Sequence, residues 1–449
     1  MKDENTLYWL WLAGKCGIAS KDFGKLIARY ENPFEIYRME SDEIDRIEGI
    51  HDGTRLRLQE KSLEEAYSIL RYCKQNRIRI YPYGHERYPD RLRNIEDPPV
   101  LLYSLGELPD LNNRLCIGMV GTRKMTEYGK ENAYRIACEL AGANAVVVSG
   151  MALGVDGVCA CGALAAGGET IAVLGCGVSV VYPKEHERLM RAIAAHGAVI
   201  SEYPPSERPN AVNFPKRNRL ISGLCQGVLI IEASRRSGAL ITASHAIGQG
   251  RELFALPGKV GESNSSGPNE LIRSGANMTV GAEDILRHYD FLYHDVIRYR
   301  GLRSAQKYSG NSDAALKKYG VSFLCYRGRY DEDENAADKA ETPATGNRSF
   351  DGEPEPKQPV PEKTAPQKND PEPQKSAPPT PPSGAEEAIL ASLDDTSRAV
   401  YEKMPAGRAV TPDLLVGDGI GMGEAITSLT MLELGGLVTS LPGGVYIRR

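Results

Sequence analysis

The stretch that decides the fold is LCIGMVGTR, residues 115–123, in which a short apolar run leads into a glycine, a hydroxyl and an arginine. Five more runs of this kind follow: AVVVSG (145–150), TIAVLG (170–175), AVISE (198–202), GVLIIEAS (227–234) and ELFALPG (252–258). Continuous apolar strands separated by amphipathic helices indicate a parallel sheet covered by helices on both faces. The sequence therefore predicts a doubly wound, mostly parallel α/β core.

A chain of 449 residues is too long for one ordinary core, so we expect two or three folded units. Apolar residues at helical spacing predict a small helical domain over residues 1–78, of the SAM or helix-hairpin-helix kind. The Rossmann-like core spans 79–288, and residues 289–384 form a basic, tyrosine-rich segment followed by a disordered Pro/Glu-rich linker. Residues 385–449 have the pattern of a winged helix, with three helices and then a strand pair around a Pro-Gly-Gly turn.

The turn IEGIHDGTR (47–55) in the helical domain has two interpretations. Its backbone N–H groups can face a phosphate, as in helix-hairpin-helix modules, or the helices around it can simply pack against their neighbours. His51 and Asp52 stand where such hairpins usually carry glycine, which favours the packing role.

The formal net charge of −5 argues at first against a nucleic-acid partner. Residues 331–387, however, hold 14 acidic and 6 basic residues, which leaves 48 basic and 45 acidic residues elsewhere, a net charge of +3. The acidity is therefore concentrated in the predicted linker, and the folded parts remain compatible with phosphate binding.

The N-terminal apolar stretch LYWLWLAG is too short for a membrane span, and no cleavage pattern follows it. The nine cysteines show no zinc-ligand spacing. Reduced thiols, a cytoplasmic location, no membrane span and no metal or other cofactor are therefore expected.

Ligands of open α/β sheets bind at the carboxyl ends of the strands, so the residues that follow each strand are the candidate site. Gly121, Thr122 and Arg123 follow the first strand, and Ser149 and Gly150 end the second. Glycine allows close backbone approach, and arginine binds phosphate through its planar fork. The full GxGxxG spacing and the GxxxxGK[ST] loop are both missing, which argues against a dinucleotide.

The segment from Phe214 through Lys216, Arg217 and Asn218 to Arg219 opens a predicted helix that starts at Pro215. Cations in a first turn oppose the helix dipole, which favours their use on an external anion, with Phe214 stacking on a base. A solvated basic turn with Phe214 in the core is the alternative.

Ser237 and Gly238, after the fifth strand, face the same crevice. Ser237 can equally be only a helix cap.

These motifs, together with Tyr88-Pro89, Tyr182-Pro183, the SEYP run at 201–204 and residues 251–258, resemble the bacterial DNA-processing family known as DprA or Smf over roughly residues 80–285. The resemblance implies binding and protection of incoming single-stranded DNA in natural transformation, and loading of the recombinase RecA onto that strand. It also implies a homodimer through the Rossmann-like domain. By motif correspondence the DNA groove would include Arg123, Ser149, Gly150, Lys216, Arg217 and Arg219.

Two other function classes stay open. One is a nucleotide- or nucleoside-phosphate-processing enzyme on the same fold, but no nucleophile–base pair stands out, and Glu202 and Glu232 are more simply turn anchors or partners of nearby arginines. No catalytic residue and no enzyme activity are therefore predicted. The other is a protein-interaction scaffold, in which the winged helix and residues 289–330 recruit a partner. Residues 289–330 themselves have two further interpretations: they extend the DNA path, or they act as a flexible tether.

Overall fold

The computed structural model describes residues 2–30, 32–305, 307, 310 and 312–321, and then 395–405, 409–415, 417, 425, 428, 429, 432, 437–441 and 445–448. The chain divides into two compact units, residues 1–345 and 346–449. The predicted disordered linker lies outside the described residues.

In the first unit the described helices are α1 Lys2–Cys16, α2 Lys21–Arg29, α3 Pro33–Arg38, α4 Ser41–Asp45, α5 Asp52–Gln59, α6 Glu64–Gln75, α7 Asp90–Arg93, α8 Glu127–Gly142, α9 Val155–Ala165, α10 Glu187–His196, α11 Asn213–Leu224, α12 Ala239–Gly248, α13 Ser266–Arg273, α14 Ala282–Tyr293, α15 Tyr299–Ala305 and α16 Ser312–Tyr319. The strands are β1 Arg79–Pro82, β2 Leu101–Gly106, β3 Cys116–Val120, β4 Val146–Ser149, β5 Thr170–Val173, β6 Gly197–Ser201, β7 Gly227–Ile230, β8 Glu252–Ala255 and β9 Asn277–Met278.

The described strands of this unit form one sheet in the order β1-β2-β6-β5-β4-β3-β7-β8-β9. The seven strands from β6 to β9 run parallel, whereas β1 and β2 add an antiparallel edge. All six strands predicted from the sequence are present, as β3 to β8. The chain moves outward from β3 to β6 and then returns to β7 on the other side of β3. The strand order therefore reverses between β3 and β7, where open α/β sheets bind ligands.

Alternate residues of the central strands enter two different cores. Ile117 and Met119 pack into the layer that contains α8, α9 and α10, whereas Cys116 and Val120 pack into the layer of α11 and α12. Side chains of a strand point to opposite faces in turn, so a strand that is apolar throughout is buried on both faces. The mostly parallel α/β architecture is confirmed.

Six helices, α1 to α6, fill residues 2–75 and share a core that continues onto one face of β2 through Leu101 and Tyr103. In the turn at 47–55 the carboxylate of Asp22 accepts hydrogen bonds from the His51 N–H (3.2 Å) and the Thr54 hydroxyl (2.6 Å). Because the His51 N–H already donates to the Asp22 carboxylate, it is not available to a phosphate. The geometry therefore favours the packing role of the turn.

The basic segment after residue 289 packs on the core as far as Val321. Helix α15 lies against α8, and α16 lies against α9. Lys130 of α8 donates to the Asp313 carboxylate at 2.9 Å. A flexible tether is therefore the wrong interpretation for this part of the segment, and residues 322–330 lie outside the described residues.

The second unit contains helix α17 Asp395–Lys403 and strands β10 Ala409–Val410, β11 Val438–Leu441 and β12 Val445–Arg448. The strands form an antiparallel sheet in the order β10-β12-β11. Val400, Leu429 and Leu432 belong to its apolar core. Most of the other two predicted helices and the Pro-Gly-Gly turn lie outside the described residues, so the winged helix stays a prediction.

Candidate nucleic-acid interface

A cleft of about 420 Å³, open to solvent, lies at the carboxyl ends of β3, β4 and β5, beside the start of α11. We call it the cationic cleft; the residues that line it are Arg123, Gly150, Ala152, Leu153, Leu174, Gly175, Cys176, Tyr182, Pro183, Phe214 and Arg217. The predicted turns after the first three core strands therefore meet the predicted basic helix at one place.

Glycine is required at two positions beside the cleft. Gly154 adopts φ +80°, and a Cβ there would lie 2.4 Å from the Thr122 carbonyl oxygen. A Cβ on Gly150 would lie 2.6 Å from both the Arg217 guanidinium and the Asp156 carboxylate. These glycines let the turns after β3 and β4 pack close together, because neither position has room for a side chain.

An aromatic pair forms one wall of the cationic cleft. The rings of Tyr182 and Phe214 stack with centroids 5.3 Å apart and planes inclined by 30°. Both side chains are half-buried, and the exposed Arg123 places its guanidinium carbon 6.0 Å from the Phe214 ring centroid. Phe214 therefore packs against Tyr182 and is also partly exposed. This is intermediate between the two interpretations from the sequence, a ring that stacks on a base and a ring in the core.

Arg217 forms the floor of the cleft and is only 4% exposed. It donates to the Gly150 carbonyl oxygen at 2.9 Å and also to the carbonyl of Val173. Burial lowers the pKa of Arg217, and the nearby Asp156 carboxylate opposes that change. Burial also raises the pKa of Asp156, while Arg217 acts in the opposite direction. Arg217 therefore supports the cleft from inside the protein.

Arg219 lies away from the cleft in a buried ion-pair network. It is 2% exposed, and its Nε donates to Asp97 at 2.8 Å. Its Nη2 donates to both oxygens of Glu202, at 3.0 and 2.8 Å. The carboxylates of Asp97 and Glu202 balance the positive charge of Arg219 inside the protein. We therefore remove Arg219 from the candidate interface. The interpretation of Glu202 as an arginine partner is confirmed.

Of the other predicted residues at the start of α11, Lys216 is exposed and Asn218 is half-buried. The helix begins at Asn213, two residues before the predicted start, and its first turn contains no acidic residue. Asn218 Nδ2 donates to the Gly238 carbonyl oxygen at 3.4 Å, which places the Ser237–Gly238 turn beside α11. The Ser237 hydroxyl accepts from the Ala239 N–H at 3.4 Å, a local turn contact, whereas the N-cap of α12 is Gly238, so Ser237 is not the helix cap.

Two predicted hydroxyls serve the turns themselves. Ser149 is buried and donates to the Met119 carbonyl oxygen at 2.6 Å. The Thr122 hydroxyl accepts from the Lys124 N–H at 3.1 Å, while the Thr122 N–H donates to the Glu232 carbonyl oxygen at 2.7 Å. Gly121 precedes Thr122 and has no room for a Cβ, which would lie 2.7 Å from the Val155 side chain.

Glu232 acts as an anchor for the start of α8, as one interpretation of the sequence predicts. Its carboxylate accepts from the Thr126 N–H at 2.8 Å and from the Thr126 hydroxyl at 2.5 Å. Burial raises the pKa of Glu232, and the bonds from Thr126 oppose that rise. Within the described part of the chain, no group of three or more His, Cys, Asp or Glu side chains is placed to hold a metal ion.

Sequence reasoning missed Tyr182 and Asp156 as parts of the site, although Tyr182 lies in the quoted Tyr182-Pro183 motif. Tyr182 is far from Phe214 in sequence, and only the packing of the loop after β5 against α11 brings the two rings together. The Tyr182–Pro183 peptide bond that ends this loop is cis. An aromatic residue next to proline in the loop after a core strand was the available signal.

The fold and the cleft together define a Rossmann-like α/β protein with a phosphate-compatible surface beside its topological switch point. The family model described as DNA recombination-mediator protein A matches residues 79–290. DNA processing protein DprA of Bacillus subtilis is 39% identical over 48% of this chain and 73% of its own length. Protein Smf of Escherichia coli is 42% identical over 52% of this chain and 62% of its own length.

The X-ray structure of DprA from Streptococcus pneumoniae superposes with a TM-score of 0.56 at 32% identity, over 63% of this chain and 97% of that one. This chain belongs to the DNA-processing protein A (DprA/Smf) family.

Proposed function

We propose that this protein binds single-stranded DNA in the cationic cleft, without sequence preference. The observation that carries the proposal is the stacked Tyr182–Phe214 pair beside the exposed Arg123 at the carboxyl edge of the sheet. Aromatic faces hold bases and cations hold the backbone, and this combination is typical of sites for flexible single strands. A half-buried ring has only one face to offer, which suits an unpaired base better than a stacked duplex.

The contacts that we assign to DNA are fewer than the sequence alone suggested. Arg123 and Lys216 are exposed and contact phosphates, and Phe214 with Tyr182 contacts bases. The backbone of Gly121, Thr122, Gly150, Asn218, Ser237 and Gly238 lines the path. Arg217 and Ser149 shape the floor, since their polar groups already have partners inside the protein.

Family membership supports the cellular role that we infer. The strand is incoming DNA in natural transformation; the protein protects it and loads RecA onto it, working as a homodimer through the Rossmann-like domain in the cytoplasm. The eight described cysteines are all free and buried, which suits a reducing compartment. Within the described residues, no helix is both long and apolar enough to cross a bilayer.

A nucleotide-processing enzyme is the alternative on the same fold, and we infer that the protein is not an enzyme. Two buried described carboxylates, Asp156 and Glu232, lie next to the turns after β4 and β3. Asp156 accepts from the N–H groups of Gly150 (3.1 Å) and Ala152 (3.4 Å), and Glu232 is held by Thr126. Both carboxylates therefore accept from backbone amides of the turns that lead into α9 and α8, which stabilises those turns.

The deciding experiment is a set of fluorescence-anisotropy titrations of one preparation with labelled oligo-dT, the matching duplex and a labelled nucleotide. We expect oligo-dT to bind most tightly, with an affinity that falls steeply as salt rises because counterions are released from the strand. Tighter binding of the duplex, or saturable binding of the nucleotide with turnover, would contradict the proposal.

A further inference from the structure

Beyond the cationic cleft, three loops at the carboxyl edge of the sheet are joined by one buried residue, Asn264, through its side chain and its backbone. Asn264 is 6% exposed, and its Nδ2 donates to the Lys124 carbonyl oxygen at 2.8 Å. The backbone carbonyl oxygen of Asn264 accepts from the Ala233 N–H at 2.8 Å. The loops that follow β3, β7 and β8 are thereby held next to one another, on the far side of the switch point from the cleft.

These joined loops present a group of cations to solvent. Lys124, Arg235 and Arg236 are exposed, and the Lys259 side chain is 82% exposed. We call these four residues the second basic rim. Tyr128, which is 44% exposed, lies beside the rim and donates through its hydroxyl to the Pro257 carbonyl oxygen at 2.7 Å.

Among the residues that the structure describes, the carboxylates of this region do not cancel the positive charge of the rim. Glu232 is 2% exposed and is held by Thr126. Glu127 is paired with Lys130, and Glu262 lies 3.5 Å from Lys259 as an exposed pair. Glu262 offsets at most one of the four cations, so the rim offers mainly positive charge to a ligand.

The rim is continuous with the cationic cleft on two sides. Lys124 directly follows Arg123, whose guanidinium lies beside the Phe214 ring. On the other side, Asn218 of α11 donates to the Gly238 carbonyl oxygen in the same turn that carries Arg235 and Arg236. A strand leaving the cleft across the junction of β3 and β7 therefore reaches a surface with the same sign of charge.

We propose that single-stranded DNA continues from the cationic cleft onto the second basic rim, whose cations bind the phosphates of the nucleotides that follow those in the cleft. This inference rests on the proposed function, since it needs a strand in the cleft. It adds an outer site that takes the polynucleotide backbone only, because the rim supplies cations but no stacked pair of rings.

The test compares the wild-type protein with an Arg235→Ala/Arg236→Ala/Lys259→Ala variant on oligo-dT ranging from about 4 to about 16 nucleotides, a span of known single-strand sites. We expect the shortest strand to bind both proteins equally and the longest to bind the variant more weakly. The slope of log affinity against log salt for the longest strand should fall in magnitude by about 2, since each lost phosphate contact contributes about 0.7.

A matched control removes three cations elsewhere: Arg191→Ala/Arg273→Ala/Arg287→Ala, each exposed and paired with an acid on its own helix. This control should keep the wild-type slope at every length. An Arg123→Ala variant measured in parallel separates the proposed DNA binding in the cleft from the inference about the rim. If it loses binding while the rim variant matches wild type at all lengths, the rim inference fails and the cleft stands.

If the Arg123→Ala and rim variants both bind like wild type, the proposed function fails together with the inference. Equal weakening of short and long strands by the rim variant would also overturn the inference, because the rim would then belong to the cleft. A loss confined to strands that carry a duplex end would overturn it as well, since the rim would then bind the duplex.

Discussion

The two edges of the parallel sheet both carry a groove lined with arginine, but only one is suited to an anion. The groove at the amino edge is the larger, at about 1210 Å³ against about 420 Å³ for the cationic cleft. Its arginines are neutralised locally: Arg87 pairs with Glu107, and Arg114 pairs with Glu169 at 2.7 Å. The size of a groove therefore does not identify the site.

Helix direction explains the difference between the edges. The amino-edge groove is lined by Gly167, which follows the end of α9, and by His196, which ends α10, so it faces helix C-termini. Helices α8, α9 and α11 instead begin at the cleft side. The partial positive charges of helix N-termini add to Arg123 and Lys216, whereas C-termini repel an anion. The comparison teaches that the strand-to-helix direction selects the binding edge.

The largest expected effect is on stability. It distinguishes Arg219, whose charge is buried in an ion-pair network, from Arg123, whose exposed charge is proposed to bind DNA. Arg219→Ala leaves Glu202 buried without its partner, which should lower the free energy of unfolding by about 3–5 kcal/mol. Chemical denaturation checks this, with the exposed Arg123→Ala as the control that should change stability by less than about 0.5 kcal/mol. A fully stable Arg219→Ala protein with lost DNA affinity would return Arg219 to the interface.

The next effect tests the contrast between the edges directly. Arg123→Ala should weaken binding of oligo-dT by about 1.5–3 kcal/mol, roughly tenfold or more, because a charge-assisted contact to phosphate is removed. Anisotropy at fixed salt measures the change. Arg87→Ala, in the amino-edge groove, is the matched control and should bind like wild type. If Arg87→Ala weakened oligo-dT binding as much as Arg123→Ala, the two edges of the sheet would not differ in DNA binding.

Removing the ring of Phe214 tests whether bases stack in the cleft. Phe214→Ala should cost about 1–3 kcal/mol of oligo-dT affinity, the range of one base–aromatic contact. Phe214→Tyr keeps the ring and should retain most of the binding. Because Phe214 also packs on Tyr182, circular dichroism of both variants must show a native fold. If Phe214→Ala folds normally and keeps wild-type affinity, the ring is only part of the core.

The smallest expected effect is at Gly238. A Cβ there meets no atom within 4 Å, and the backbone φ is −58°, which any residue adopts. Gly238→Ala should therefore change affinity less than about twofold and stability by less than about 0.5 kcal/mol. Gly150→Ala provides the contrast, since its Cβ would contact Arg217. A large loss of binding in Gly238→Ala would show that the DNA path leaves no room for a methyl group at this turn.

The predicted strands, their parallel direction and the meeting of the glycine turns at one edge followed from local patterns. Buried parallel strands are apolar throughout, and each strand-to-helix turn in such a fold lies at the same edge. The antiparallel strands β1 and β2 were not predicted, because RIYP and LLYSLG have no alternation that distinguishes them from loops. Helices α15 and α16 were not predicted to pack on the core, since their basic residues resemble a solvated tether.

The sequence by itself determined the class of fold, the edge of the sheet that carries the candidate site, and the presence of cations and an aromatic residue at the start of α11. Only the tertiary structure decided which cations are available to a ligand. Lys216, Arg217 and Arg219 lie within four residues of one helix, yet the first is exposed and the other two are buried. Helical residues point in different directions around the axis, and their partners Asp97, Glu202 and Gly150 come from distant parts of the chain.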